Sequence, residues 1–202
     1  MERSSQVDTR KEFTGGLMFK YFAKLNGNFE FNSDIEKIRD VTTFGATDTH
    51  QKFKGINYSR VKLLEMEDVY KVIPKGKKKF FFLNLMRINS KVPTHTDSTI
   101  KTCINFYIKT ENCVTYFHEP KVENPRKFQI SNQTDGYIFH PLDLQIVKEF
   151  NAKPTEAWVL NVKEPHSVVP LSGIEERVAL SLQTKDFTFD EVCEMLKETG
   201  YL

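Results

Sequence analysis

Cysteine is scarce in this chain and follows no pattern. Its 202 residues include three, Cys103, Cys113 and Cys193. An odd number with no C-x-x-C spacing supports neither a disulfide framework nor a cysteine zinc site. No apolar run approaches the roughly 20 residues needed to cross a bilayer. The opening residues, MERSSQVDTRKEF, lack the apolar stretch of a secretion signal. The expectation is a soluble, cytoplasmic protein with no membrane partner. An excess of one charge is also missing: 29 Lys and Arg against 27 Asp and Glu leave a net charge of +2. That is too little by itself to indicate nucleic acid as a partner. The basic run Lys75-Gly76-Lys77-Lys78-Lys79 reads as a solvated turn ahead of a strand. With no internal repeat and no low-complexity linker, residues 1–202 read as one domain.

Phenylalanine is abundant, with 17 residues in a chain that is 12% aromatic. Aromatics favour strands and large buried contacts, so the core is expected to be β-rich. Residues 1–12 read as a frayed tail and 13–79 as a mixed α/β segment. Within that segment, Ser33-Asp34-Ile35-Glu36 has the form of a capping box opening a short helix to Asp40. Glu67 to Ile73 reads as a helical turn or two stopped by Pro74. From residue 80 to 184 the pattern is one of strands: Phe80 to Ile88, Thr102 to Lys109, Cys113 to His118, Gly136 to His140, Ala157 to Val162 and Arg177 to Gln183. Loops rich in Asn, Pro, Gly and Ser part them, as in an antiparallel sandwich or barrel. Residues 187–200 read as a closing helix, with Thr188-Phe189-Asp190-Glu191 as its capping box and Gly200 as its stop. Cys193 is expected there as an inert packing residue.

Two strands alternate in an informative way. Cys103, Asn105 and Tyr107 share one face and Ile104, Phe106 and Ile108 the other; Arg177, Ala179, Ser181 and Gln183 oppose Val178, Leu180 and Leu182. Polar rows of this kind border either solvent or a liganded interior. Arg87, alone in an apolar run, must either point into such an interior or find a carboxylate. Trp158 reads as a packing residue, and His118, His140 and His50 as surface, loop or satisfied core histidines.

His95-Thr96-Asp97 is an H-x-D triplet following Pro93. In extended chain, residues i and i+2 point the same way, so an imidazole and a carboxylate can reach one ion together. A second imidazole from a distant strand would complete a two-His, one-carboxylate face of the kind that suits iron(II). Alone the triplet is unspecific. Far downstream, however, comes His166 in EPHSVVP, and eleven residues later Arg177 opens RVALSL. This order resembles the Fe(II)/2-oxoglutarate-dependent oxygenases, and the strand Thr102 to Lys109 resembles its counterpart in prolyl hydroxylases. The likeness covers roughly residues 80–184.

The resemblance implies a mainly β fold with flanking helices, built on a double-stranded β-helix (jelly-roll) core. It implies that His95, Asp97 and His166 ligate Fe(II) and that Arg177 binds the far carboxylate of 2-oxoglutarate, for which a planar guanidinium fork is suited. Tyr107 would assist that carboxylate, with Asn105 beside it. Dioxygen is then the third reactant, and the activity a hydroxylation releasing succinate and carbon dioxide. Asp97 itself points that way, since the related halogenases lack this carboxylate. The spacing of eleven exceeds the commoner ten and requires a one-residue bulge or turn. Two alternatives stand beside this reading: a cupin-type metalloenzyme that does not use 2-oxoglutarate, and a β-sandwich binding module without metal. The primary substrate is open among peptide residues, amino acids, nucleobases and small metabolites.

Overall fold

The computed structural model describes residues 19–31, 43–45, 56–60, 67–110, 112–130, 136–171 and 176–202, with backbone alone in the second and third of these stretches. The helix expected at Ser33 to Asp40, the N-terminal tail and His50 lie outside the described residues.

Two antiparallel sheets make up the molecule. The larger takes β1 (Phe22–Lys24), β11 (Ala157–Leu160), β6 (Thr102–Lys109), β13 (Arg177–Thr184), β4 (Phe82–Ile88), β3 (Ile56–Arg60) and β2 (Thr43–Gly45), in that spatial order. The smaller runs β10 (Leu144–Phe150), β7 (Cys113–Pro120), β12 (His166–Pro170), β5 (Val92–His95), β9 (Tyr137–Phe139) and β8 (Lys127–Gln129). Apart from β2–β3, β3–β4 and β8–β9, neighbouring strands are not consecutive in sequence, which marks the crossing connections of a jelly roll.

The alternation of β13 explains the layering. Val178, Leu180 and Leu182 turn outward with Ile104 and Phe106 of β6 into one core, closed by α1 (Glu67–Tyr70) and α2 (Phe189–Glu198). From α2 come Val192, Cys193, Met195 and Leu196, all buried, and each large apolar side chain removed from water contributes about 2 kcal/mol. The expected capping box is present: Glu191 N–H donates to Thr188 Oγ1 and Thr188 N–H to Glu191 Oε2. Burial pushes the Cys193 thiol up to about 12, so it stays protonated and inert. The other face of β13 and β6 looks between the sheets, where Ala179, Tyr107 and Cys103 meet Val92, Phe117 and Val168.

Several details differ from the sequence expectation. Residues Lys75–Phe80 form a 3-10 helix, so β4 starts at Phe82. Helix α1 ends at Tyr70. Arg87 faces away from the space between the sheets and pairs with Glu176 at 3.1 Å, which resolves its isolation in favour of a carboxylate partner. Trp158 packs as expected, stacked on Phe150 with ring centroids 4.3 Å apart. No helix among the described residues is long and apolar enough to cross a membrane.

Candidate metal and anion site

The space between the sheets holds a cavity whose lining includes His95, Asp97, His166, Cys103, Asn105, Tyr107, Thr115 and Arg177. Seven strands or strand ends build it, and the antiparallel registers bring distant residues together. His166 is paired directly with His95 across β12 and β5, and with Phe117 across β12 and β7. The register shifts between His166 and Val168 on one side, and between Val178 and Ala179 of β13 on another. In both places the extra residue belongs to the partner strand, β5 or β6, so neither irregularity accounts for the spacing of eleven between His166 and Arg177.

His95, Asp97 and His166 each offer a ligand atom within 4.8 Å of the others. Asp97 Oδ1 lies 3.2 Å from His95 Nε2 and 3.8 Å from His166 Nε2. Both imidazoles are oriented by the backbone two residues earlier: His95 Nδ1 donates to the Pro93 carbonyl at 2.9 Å and His166 Nδ1 to the Glu164 carbonyl at 3.0 Å. A carbonyl only accepts, so Nδ1 carries the proton and the Nε2 lone pair faces Asp97. Lone pairs on two imidazoles and a carboxylate then converge on one point, an arrangement that repels itself unless a cation sits there. The donor set therefore fits a divalent metal such as iron(II).

The electrostatics agree. Burial, reinforced by the neighbouring His95, pushes the His166 imidazole down to about 4, so it is neutral at physiological pH and able to donate its lone pair. For Asp97, burial pushes the carboxyl up, but its close neighbours His95, His166 and Lys163 outweigh that and bring it below the usual range, so it is ionised at neutral pH. Lys163 Nζ also donates to the Asp97 carbonyl at 3.1 Å, fixing the loop from behind.

Arg177 lies in the same cavity, 1% exposed and among the largest fully buried side chains. Nη1 donates to Thr115 Oγ1 at 2.7 Å and Nη2 to the Cys113 carbonyl, while Nε has no partner. Its charge rests partly over the Tyr107 ring, 5.3 Å from the centroid. No carboxylate among the described residues lies within ion-pair distance of it. Leaving a buried cation uncompensated costs several kcal/mol, a cost that an anionic ligand would remove. Beside it the Tyr107 hydroxyl and Asn105 Oδ1 are buried without a partner in hydrogen-bond geometry. Burial raises the Tyr107 phenol above its ordinary value, against the pull of Arg177, so it is a hydrogen-bond donor at neutral pH. The Arg177 Nε–H and the Tyr107 hydroxyl are donors that a carboxylate would satisfy, whereas Asn105 Oδ1 accepts only and calls for a donor.

The structure thus gathers all six residues singled out in the sequence, His95, Asp97, His166, Arg177, Tyr107 and Asn105, around one cavity. His118 and His140 stand apart from its lining: His118 Nε2 is 2.9 Å from Ser167 Oγ, and His140 Nδ1 accepts from Arg126. Two contributors escaped the sequence reading. Thr115 was legible in principle, sharing a strand face with Cys113 and Phe117. Gly136 was not. A Cβ there would lie 2.9 Å from both the Thr96 carbonyl and the Ser98 amide, so only glycine lets the β8–β9 hairpin press against the H-x-D segment.

No family model matches the chain, and no curated protein matches it. Among solved structures, an oxidoreductase of the 2OG-Fe(II) oxygenase family from Burkholderia pseudomallei is 11% identical, with 75% of this chain and 76% of that chain covered and a TM-score of 0.43. The vicilin of Solanum melongena is 12% identical over 77% of this chain, with a TM-score of 0.37. The ectoine synthase of P. lautus is 13% identical, covering 82% and 85%, with a TM-score of 0.34. The chain spans only 32% of that vicilin's length. Likenesses this distant say nothing about activity.

Proposed function

We propose that the protein is an Fe(II)/2-oxoglutarate-dependent oxygenase that hydroxylates a primary substrate. The observation that carries this reading is Arg177, a fully buried cation without a carboxylate partner among the described residues, in the same cavity as a converging His, Asp and His. A ligand that chelates a metal at one end and carries a carboxylate at the other satisfies both demands at once.

In this reading His95, Asp97 and His166 would hold iron(II). Arg177 and the Tyr107 hydroxyl, with Asn105 beside them, would take the far carboxylate, and Thr115 holds the guanidinium in position. The chemistry supplied by bound iron(II), 2-oxoglutarate and dioxygen is oxidative decarboxylation to succinate and carbon dioxide, coupled to hydroxylation of a substrate C–H bond. The apolar lining, including Met86, Ile88, Val92 and Val168, excludes water from that space.

An uncompensated arginine would accept another small carboxylate equally well, which keeps a cupin-type metalloenzyme acting directly on such a substrate as the second reading. Anaerobic titration separates them. Adding iron(II) and then 2-oxoglutarate is expected to produce a weak visible charge-transfer band that is lost in His95→Ala. Tight iron binding with no band at saturating 2-oxoglutarate would favour the cupin-type reading. No iron binding at all would sink both and leave the metal-free binding module.

A further inference from the structure

The strand that carries His95 is weakly held by its own backbone. β5 has four residues, is matched to β12 at two positions and to β9 at one, and loses register against β12 between its two matches. Pro93 contributes no N–H to either ladder. Yet the Pro93 carbonyl orients the His95 imidazole, so any slip of β5 moves the ligand with it. Downstream of His95 the chain is fastened by backbone: Thr96 N–H donates to the Tyr137 carbonyl at 2.9 Å and Asp97 N–H to the Val162 carbonyl at 2.8 Å. Upstream the fastening is a side chain.

That side chain is His118, which the metal and anion chemistry leaves unused. Phe117, His166 and His95 form one row across β7, β12 and β5, facing the space between the sheets. Their chain neighbours His118, Ser167 and Thr94 form a second row across the same three strands. Side chains alternate along a strand, so this row lies on the opposite face, and none of its members lines the cavity. There His118 Nε2 lies 2.9 Å from Ser167 Oγ and 3.4 Å from Thr94 Oγ1, and both hydroxyl-bearing residues are buried. The His118 backbone grips the same place, its N–H donating to the Pro165 carbonyl at 2.8 Å. Pro165 and Ser167 flank His166, and Thr94 precedes His95. One residue thus touches the chain on both sides of one ligand and immediately before the other.

We propose that His118 is a positioning residue for the metal site. It clamps β5 to β12 from behind and so sets the separation of the His95 and His166 rings, whose centroids lie 4.3 Å apart. It touches neither metal nor substrate. Cobalt(II) is the probe, because its visible d–d bands report ligand number and geometry. The full chain would be titrated as wild type, His118→Leu, His118→Gln and Ser167→Ala. His118→Leu is expected to bind cobalt about tenfold or more weakly, with altered bands. In His118→Gln the side-chain amide can replace Nε2 between the two hydroxyls, and affinity is expected to stay within about threefold of wild type. Ser167→Ala is expected to lose about fivefold. Asp143→Asn is the control for general destabilisation: it frees Arg126 in the segment after β7, away from the site, and should leave cobalt affinity unchanged. Wild-type affinity and bands in a folded His118→Leu, equal losses in His118→Gln and His118→Leu, or an equal loss in Asp143→Asn would overturn the proposal. If His118→Leu does not fold, Ser167→Ala decides, and unchanged cobalt affinity there overturns it. The proposal rests on the metal site and not on the co-substrate, so 2-oxoglutarate binding by the cobalt-loaded samples separates it from the oxygenase reading. Cobalt binding without 2-oxoglutarate binding refutes that reading alone, and a wild type that takes up no cobalt refutes both.

Discussion

Arg177 illustrates how one side chain ties stability to function. Its neighbours supply only neutral acceptors, so its charge is left for a ligand to balance, and Thr115 sets where that charge points. Thr115→Val keeps the side-chain shape and removes the acceptor. A lost hydrogen bond to a charged group is worth about 1–2 kcal/mol, so 2-oxoglutarate affinity should fall by roughly tenfold while metal affinity is unchanged. Isothermal titration of the two ligands separately checks this; equal losses of both would mean that Thr115 supports the whole cavity rather than the guanidinium. These roles were partly legible in the sequence. His95, Asp97, His166 and Arg177 stood out by type and order, whereas the missing counter-ion for Arg177 is a property of packing, visible only once the strands are assembled.

Among the elements, β6 and β13 were the most readable, because each turns a polar row toward the cavity and an apolar row toward α2. Helix α2 was equally clear from its capping box. Strand β10 was not foreseen. Its burial alternates poorly, with exposed Gln145, Ile146, Lys148 and Glu149, since it lies at a sheet edge and its place is set by pairing with β7. The β5 strand contains Pro93 and four residues in all, too few to show a period. The β8–β9 hairpin matters through Gly136, whose bare Cα lies against the backbone of residues 96–98. Gly136→Ala must push that backbone away, at a cost of about 1–3 kcal/mol. The expected outcome is a lower melting temperature in circular dichroism and weaker iron(II) binding, because Asp97 is displaced. A variant with lower melting temperature but unchanged iron affinity would show that the hairpin does not position the ligands.

At the scale of the whole molecule, an antiparallel sandwich or barrel followed from the density of strands and the jelly-roll core from the family resemblance, while the strand order followed from neither, being decided by long-range pairing. A polar clasp also braces the smaller sheet away from the site. Asp143 accepts from the Arg126 backbone amide at 2.7 Å, from Nε at 2.9 Å and from Nη2 at 2.7 Å, joining the segment after β7 to the turn before β10. The Arg126 side chain first, then its backbone amide, hold the Asp143 carboxyl well below the usual range. A carboxyl depressed in the folded state stabilises fully above its unfolded value, about 4, and loses that contribution as the pH falls further. The melting-temperature gap between wild type and Asp143→Asn should be widest near neutrality and narrow below roughly pH 4. A gap that does not change with pH would show that the clasp acts by shape alone.

The most direct test of the central claim is the affinity of the iron-loaded protein for 2-oxoglutarate under anaerobic conditions, measured for wild type and Arg177→Met. If the buried guanidinium awaits the far carboxylate, the variant should keep its iron affinity, melt at or above the wild-type temperature without ligand, and bind 2-oxoglutarate at least a hundredfold more weakly. Equal 2-oxoglutarate affinity in a folded, iron-binding Arg177→Met would contradict the account.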